Sequence, residues 1–364
     1  MKELATFVNR FSKVLTNAGI KIFGKQTVNN YKYPATKFLC GNKFFKDLFP
    51  PKLTTGYLEL TNKCNLRCKM CIYTKLQEKT GYMSKELFKN CIKQFSKMKL
   101  SNLYLHFGGE SLLHPDFNQL LRYAIHYRDN GNIGNIGWID NGMLLNQSLA
   151  DLIIELKVDL IGISIDGVGK VNDEIRCGSN YSIIKKNVKY LVENRGKEKK
   201  PQVYLSMCDY GKTEEQIIDV YREWISTVDS ITLIPSILPN NTVANKTSIS
   251  GKHKLVEPPS YCYFPFETIA VSWDGKITGC CSDYSFKMDL GNSSIFNLKK
   301  IWNNSNFQTW RKNLIENTFS TGSPCNGCEF WKINFQPKVE SSLDGKAEIK
   351  YGYIYRTIKQ TCKT

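Results

Sequence analysis

The chain has 364 residues, 41% of them hydrophobic and 23% charged, a balance that excludes a wholly disordered or low-complexity protein and allows a sizeable core. Fifty basic residues against 33 acidic ones give a formal net charge of +17, which favours an anionic partner such as nucleic acid, a phosphorylated substrate, an acidic peptide or a membrane surface. Lysine is scattered along the chain, so a solvated surface is the preferred reading of that charge. No run approaches the ~18 apolar residues of a membrane span. The stretch MKELATFVNRFSKVL spaces Leu4, Phe7, Phe11, Val14 and Leu15 on one helical face, unlike a signal peptide. A cytoplasmic protein with a helical N-terminal extension over 1–50 is expected.

From about residue 55 to 235, short β-rich runs alternate with longer amphipathic ones. Strands are predicted at Gly56–Thr61, Asn102–Phe107, Ile136–Asp140, Leu160–Ile165, Val203–Met207 and Ile231–Ile234, with helices near 84–98, 116–129, 147–157, 181–194 and 213–227. Six strands separated by five helices read as repeated βα units and a parallel sheet, with chemistry at the C-terminal strand ends. Residues 236–260, rich in Asn, Ser, Thr and Pro, read as a linker. Beyond it come short strands around the turn Asp274-Gly275 and a helical stretch near 297–316. GNIGNIG, Gly131 to Gly137, has the wrong glycine spacing for a dinucleotide fingerprint and reads as a connecting loop.

Thirteen cysteines without an export signal argue for metal ligation or reactive thiols over a disulfide framework. Cys64, Cys68 and Cys71 form a C-x3-C-x2-C run directly after the first strand, with no fourth Cys or His close by in sequence to complete a zinc site. A [4Fe-4S] core, which normally takes four cysteines, fits three better, because it leaves one iron open for a small-molecule ligand.

This spacing resembles that of the radical S-adenosylmethionine (SAM) superfamily. The resemblance implies a partial (β/α)6 TIM-like barrel over 51–240, SAM on the open iron, an external one-electron donor such as flavodoxin or ferredoxin, and a 5′-deoxyadenosyl radical that abstracts hydrogen from a substrate. Supporting motifs occur in the family's order. Gly108-Gly109-Glu110 is similar to the turn that binds the SAM amino group, with Ser111 where a Pro usually stands. Asn141-Gly142 resembles the Thr-Asn-Gly turn, Ser164 and Asp166 the ribose-contacting strand end, Arg176 a SAM-facing arginine, and Met70 the residue packed near adenine.

After the linker, 241–261, stand Cys262, then Cys280 five residues past Gly275, then Cys325-x2-Cys328. Four thiols at this spacing suit an iron-sulfur cluster or a zinc ribbon. The pattern resembles the auxiliary-cluster region called SPASM or, in its shortened one-cluster form, Twitch, implying a small C-terminal iron-sulfur domain over 262–340 and a tail over 341–364. The stretch Leu290-Gly291-Asn292, Ile301-Trp302 and Trp310-Arg311 is similar to its connecting helix region. Glu329 to Pro337 contains no further cysteine, so the one-cluster form is expected.

Of the remaining cysteines, Cys208 at the fifth strand's C-terminal end and Cys281 beside Cys280 are candidate hydrogen donors to a substrate radical. Cys40 and Cys91 read as ordinary small buried residues, Cys177 and Cys362 carry no assignment, and His106, His114, His126 and His253 read as structural. The favoured reaction is oxidation or epimerisation of a small molecule such as a sugar or aminocyclitol. Modification of a ribosomally made peptide is the alternative, and a basic zinc-binding nucleic-acid module or an electron-transfer protein stand as readings of another class.

Overall fold

The computed structural model describes residues 51–71, 79–209, 212–235, 262, 264–316, 318–320, 323–326, 328 and 356–357. The expected N-terminal helix, the linker, Cys40, His253 and Cys362 lie outside the described residues. Pro51–Pro258 and Cys262–Thr364 form one compact unit; the other unit, Met1–Pro50 with Pro259–Tyr261, is also outside them.

The first strand, β1 (Thr55–Leu58), buries alternate residues because successive side chains point to opposite faces. A Cβ at Gly56 would fall 2.7 Å from Leu100 and 3.1 Å from Phe95, so this face packs on α1 (Lys85–Met98) and its following turn. Ser84 caps α1 by accepting from the Leu87 N–H, and the apolar face Phe88, Ile92 and Phe95 is fully buried. The pattern then repeats through β2 (Asn102–Tyr104), α2 (Phe117–Asp129), β3 (Asn135–Asp140), α3 (Gln147–Glu155) and β4 (Leu160–Ser164). It continues with α4 (Lys170–Ile175), α5 (Tyr181–Asn194), β5 (Gln202–Asp209), α6 (Glu214–Trp224) and β6 (Ser230–Pro235). Helix α4 is a short turn that the βα pattern did not anticipate.

Strands β1 to β6 pair in parallel in chain order, each linked by a helical crossover. Leu58, Leu103, Ile136, Trp138, Ile161, Ile163, Val203 and Leu205 are buried toward the helices, each contributing on the order of 2 kcal/mol. By alternation, Tyr57, Tyr104, His106, Gly162, Ser164, Tyr204, Ser206 and Cys208 face the other, concave side. Gly162 is required there, because a Cβ would lie 2.5 Å from the Tyr204 ring.

The C-terminal segment joins this sheet directly. After α7 (Phe264–Glu267), strand β7 (Thr268–Val271) pairs in parallel with β1, Thr55 opposite Thr268, and turns back through Asp274-Gly275 into β8 (Ile277–Thr278). The helical stretch near 297–316 breaks at Asn303-Asn304 into α8 (Leu298–Trp302) and α9 (Ser305–Glu316). Asn304 causes the break by capping α9, its Oδ1 accepting from the Phe307 N–H at 2.8 Å. With β9 (Arg356–Thr357) on β6, the order is β8-β7-β1-β2-β3-β4-β5-β6-β9, an open partial barrel of α/β class.

Candidate functional site

The C-x3-C-x2-C loop leaves β1 at the C-terminal edge of the sheet. The end of α4 clamps it: Arg67 N–H donates to Cys177 O at 2.8 Å and Lys69 N–H to Ile175 O at 2.9 Å. Cys64, Cys68 and Cys71 are half-buried, as is Met70. The Leu66 N–H points at Cys64 Sγ at 3.4 Å, and Arg176 Nη1 lies 3.9 Å from Cys68 Sγ. Burial pushes the Cys68 thiol up to about 11 and raises Cys64, while the Arg176 charge pulls Cys68 back. Buried thiols with N–H groups aimed at sulfur suit iron-sulfur ligation, where the metal's charge offsets desolvation.

Gly109 has φ +64°, and a Cβ there would lie 2.5 Å from Thr61 O and 2.6 Å from Lys63 O. Only glycine lets this turn lie against the run entering the cysteine loop, where Glu110 N–H donates to Lys63 O at 2.7 Å. The Glu110 side chain is committed more than expected: its oxygens accept from the Leu112 N–H at 3.1 Å and the Asn141 N–H at 2.9 Å. Burial and the neighbouring Asp140 push its carboxyl up to about 8. Asn141 Nδ2 donates to Asn65 Oδ1 at 2.8 Å, tying the third strand end to the cysteine loop. Ser111, in place of proline, donates to Leu105 O at 2.6 Å and closes the turn.

Ser164 and Ser206 stand opposite each other on β4 and β5. Asp166, fully buried, is not open to a ligand in the way the sequence led one to expect. Its Oδ1 accepts from Cys208 N–H at 2.8 Å and Lys212 Nζ at 3.0 Å, and its Oδ2 pairs with Arg176 Nε at 2.7 Å. Its contribution to any ribose is therefore indirect, through the groups it holds. Lys212 escaped the sequence reading: a lone lysine in a basic chain carries no signal, and only the fold shows it 1% exposed.

In the C-terminal segment, Cys262, Cys280, Cys281, Cys325 and Cys328 line one small cavity walled by Phe264, Trp310 and Leu314. Trp310 Nε1 donates to Cys325 Sγ at 3.2 Å and the Ser282 N–H to Cys280 Sγ at 3.4 Å. Burial pushes Cys325 up to about 12 and raises Cys262, whereas a hydrogen bond from Cys281 lowers Cys280. Among the described residues, no three His, Cys, Asp or Glu side chains close on one point as around a mononuclear ion.

Tyr284 joins the two regions. Its hydroxyl is held up first by burial and then by Cys281, Cys280, Cys71 and Cys208, placing it within electrostatic reach of both cysteine sets and of the β5 end. Phe286, with φ +51°, packs its ring 5.3 Å from Phe107, just before the glycine turn. Nothing in the sequence marked this loop, because a Tyr and a Phe four and six residues past a cysteine form no motif. The described histidines hold structure: His114 Nε2 meets Met83 O at 2.9 Å, His106 Nδ1 accepts from the Ile139 N–H at 3.2 Å, and His126 meets Asn130 Nδ2 at 3.3 Å. Cys91 is buried against Ser293, and Cys177 Sγ donates to Glu174 O.

Residues 58–223 match the Radical SAM superfamily and residues 262–329 the SPASM iron-sulfur cluster-binding domain. The chain is 23% identical over 323 residues to the tungsten-containing aldehyde ferredoxin oxidoreductase cofactor-modifying protein of Pyrococcus furiosus, covering 76% of this chain and 89% of that one. It is 30% identical over 130 residues to the antilisterial bacteriocin subtilosin biosynthesis protein AlbA of Bacillus subtilis, 35% of this chain and 28% of the relative. The crystal structure of Streptococcus suis SuiB bound to precursor peptide SuiA shares the fold, with TM-score 0.61 at 15% identity over 90% of this chain and 84% of that one. The chain belongs to the radical SAM superfamily, whose members bind a [4Fe-4S] cluster and SAM, and it carries a SPASM-type auxiliary iron-sulfur domain.

Proposed function

We propose that this chain abstracts hydrogen from a carbon of a small molecule, such as a sugar or aminocyclitol, and so oxidises or epimerises it. In this reading Cys64, Cys68 and Cys71 hold the SAM-binding cluster, and Cys262, Cys280, Cys325 and Cys328 hold one auxiliary [4Fe-4S] cluster. The domains are 51–240 and 262–340. The observation that carries it is the packing of the Phe286 ring 5.3 Å from Phe107, which sets the loop after Cys280 and Cys281 against the strand end that leads into the Gly108-Gly109 turn. In this reading the substrate lies between the two cysteine sets.

Bound cluster and SAM, reduced by an external donor such as flavodoxin or ferredoxin, supply a 5′-deoxyadenosyl radical. The chain's own residues place and shield it. Arg176 holds positive charge at Cys68, the Gly108-Gly109 backbone gives close approach, and the Phe107 and Phe286 rings exclude water. Cys208, on the concave face of β5, has its backbone fixed by Asp166 and carries a thiol able to return a hydrogen atom. Eleven free thiols among the described residues suit a reducing, cytoplasmic setting. Action on a ribosomally made peptide is the second reading, supported by the likeness to the subtilosin biosynthesis protein.

The test is 5′-deoxyadenosine formation by the anaerobically reconstituted protein. Wild type is expected to form it and Cys68→Ala to form none; equal formation by the variant overturns the site. Turnover in deuterated solvent then separates the reactions, since epimerisation through a thiol places solvent deuterium on carbon and oxidation does not.

A further inference from the structure

Glu59, one residue past β1, is 1% exposed, yet it has no charged partner within hydrogen-bond reach. Because Gly56, Leu58 and Leu60 pack toward the helices, alternation turns Tyr57 and Glu59 to the concave face of the barrel. Tyr57 stands opposite Tyr104 in the ladder, and Glu59, two residues on, has the Gly108 N–H within reach of its carboxyl. The Tyr57 ring stacks on Tyr104 at 5.1 Å and meets His106 edge-on at 5.5 Å, giving this face an aromatic floor.

One carboxyl oxygen has structural work. Oε2 accepts from the Trp273 N–H at 3.2 Å, joining β1 to the β7–β8 hairpin. Oε1, equally buried, has no hydrogen-bond partner. The Gly108 N–H also acts on the carboxyl, yet Oε1 forms no hydrogen bond of its own, and a buried, unsatisfied carboxyl oxygen costs about 1–3 kcal/mol. Burial pushes the carboxyl up to about 8 against the pull of the Trp273 and Gly108 N–H groups; Asp274 adds to the rise and Lys276 opposes it. Lys276 is no counter-ion, since its Nζ is paired with Asp274 at 3.2 Å and its side chain is 58% exposed. His106, whose pKa burial lowers to about 4, supplies no charge either.

We propose that Glu59 is a substrate-binding residue whose unpartnered Oε1 on the concave face takes an ammonium group of the substrate. The proposal rests on the small-molecule reading above and names the group that such a molecule carries. An ammonium at Oε1 supplies the missing counter-charge, and the tyrosine rings beside it favour a cation further. Binding ionises Glu59 and releases its proton, so affinity rises by up to about tenfold per pH unit as the pH approaches 8.

The experiment uses reconstituted holoenzyme with SAM and ligand-observed NMR on an isosteric pair, serinol and glycerol, which differ by an amine for a hydroxyl. Wild type is expected to bind serinol about tenfold tighter than glycerol or better, with that preference lost in Glu59→Gln. Gln keeps an acceptor for the Trp273 N–H, and Glu59→Asp, which keeps the charge at shorter reach, is expected to retain a reduced preference. SAM affinity and uncoupled SAM cleavage are expected to match wild type in both. A preference that persists in Glu59→Gln, no preference in wild type, or loss of SAM affinity in the variant each overturns the proposal. A blocked Gly-Lys-Gly peptide is the remaining arm. If the peptide replaces serinol as the bound probe, and Glu59→Gln abolishes its binding, Glu59 keeps its role while the small-molecule reading falls.

Discussion

Lys212 Nζ stands 3.0 Å from Asp166 Oδ1, with both side chains almost fully buried, at the C-terminal ends of neighbouring strands. The same carboxylate pairs with Arg176, whose guanidinium reaches Cys68, and accepts from the backbone of Cys208. One buried anion thus orders the end of β4, the end of β5 and the cysteine loop together. Two cations on one carboxylate leave this corner with net positive charge, suited to a ligand carrying its own carboxylate.

Removing the lysine tests that arrangement. Lys212→Met leaves Asp166 with Arg176 alone and is expected to lower unfolding free energy by on the order of 2 kcal/mol, read by urea denaturation. SAM affinity is expected to fall with it, while iron content stays at the wild-type level. Unchanged urea midpoints would show that the pair does not form in solution.

The pH dependence of stability follows from Glu110. Its carboxyl is raised from 4.5 to about 8 by burial and by Asp140, so between those values the folded chain binds a proton that the unfolded chain releases. That contribution is complete below about pH 4.5 and is lost as pH rises through 8. Glu59, raised to the same value, adds a like amount, so stability is expected to fall by roughly 2 kcal/mol per pH unit between pH 6 and 8, and Glu110→Gln to about halve this slope. Chemical denaturation at three pH values in that window decides it; an equal slope in the variant assigns the effect elsewhere.

The auxiliary cavity offers five thiols for an expected four ligands. Cys280 stands at the spacing of the auxiliary-cluster pattern and its Sγ accepts from the Ser282 N–H, so Cys280→Ala is expected to reduce bound iron from about eight to about four per chain, and Cys281→Ala to leave it near eight. Iron and acid-labile sulfide analysis after anaerobic reconstitution makes the comparison. The reverse result would exchange the two residues' roles.

Much of this was legible before the fold was seen, for identifiable reasons. The β-rich and amphipathic periods marked β1 to β6 because each strand buries a face against a helix, and Gly109 occupies a conformation that few other residues adopt. Close spacing marked Cys64, Cys68 and Cys71, whereas Cys262, Cys280, Cys325 and Cys328, far apart in the chain, were marked by their likeness to the SPASM pattern and are gathered into one cavity by the fold. Lys212, Tyr284 and the orphaned Oε1 of Glu59 left no such trace. Their meaning comes from which groups lie opposite them after folding, and a single lysine, tyrosine or glutamate has no local period to betray it. The extension of the barrel by β7 was hidden likewise, since Thr268 to Val271 reads as a strand without saying that β1 is its neighbour.

Gly109 and Gly169 provide a paired test of how the glycine turn works. Both have positive φ, +64° and +57°, and Gly169, with ψ −129°, lies outside the left-handed helical well, so alanine carries a backbone cost at either position, about 1–3 kcal/mol at Gly169. They differ in surroundings: a Cβ at Gly109 would strike Thr61 O, Lys63 O and the Asn62 carbonyl carbon at 2.5 to 2.7 Å, while one at Gly169 meets nothing within 4 Å. Gly109→Ala must therefore push the turn away from the run that enters Cys64, and Gly169→Ala need move nothing. Gly169→Ala is expected to lose only that backbone cost and keep full SAM affinity. Gly109→Ala is expected to lose about 2 kcal/mol or more, with at least about tenfold weaker SAM binding measured anaerobically on protein of equal iron content. Equal losses of SAM affinity in the two variants would mean that backbone conformation alone, and not close approach to the cysteine loop, is what the glycine supplies.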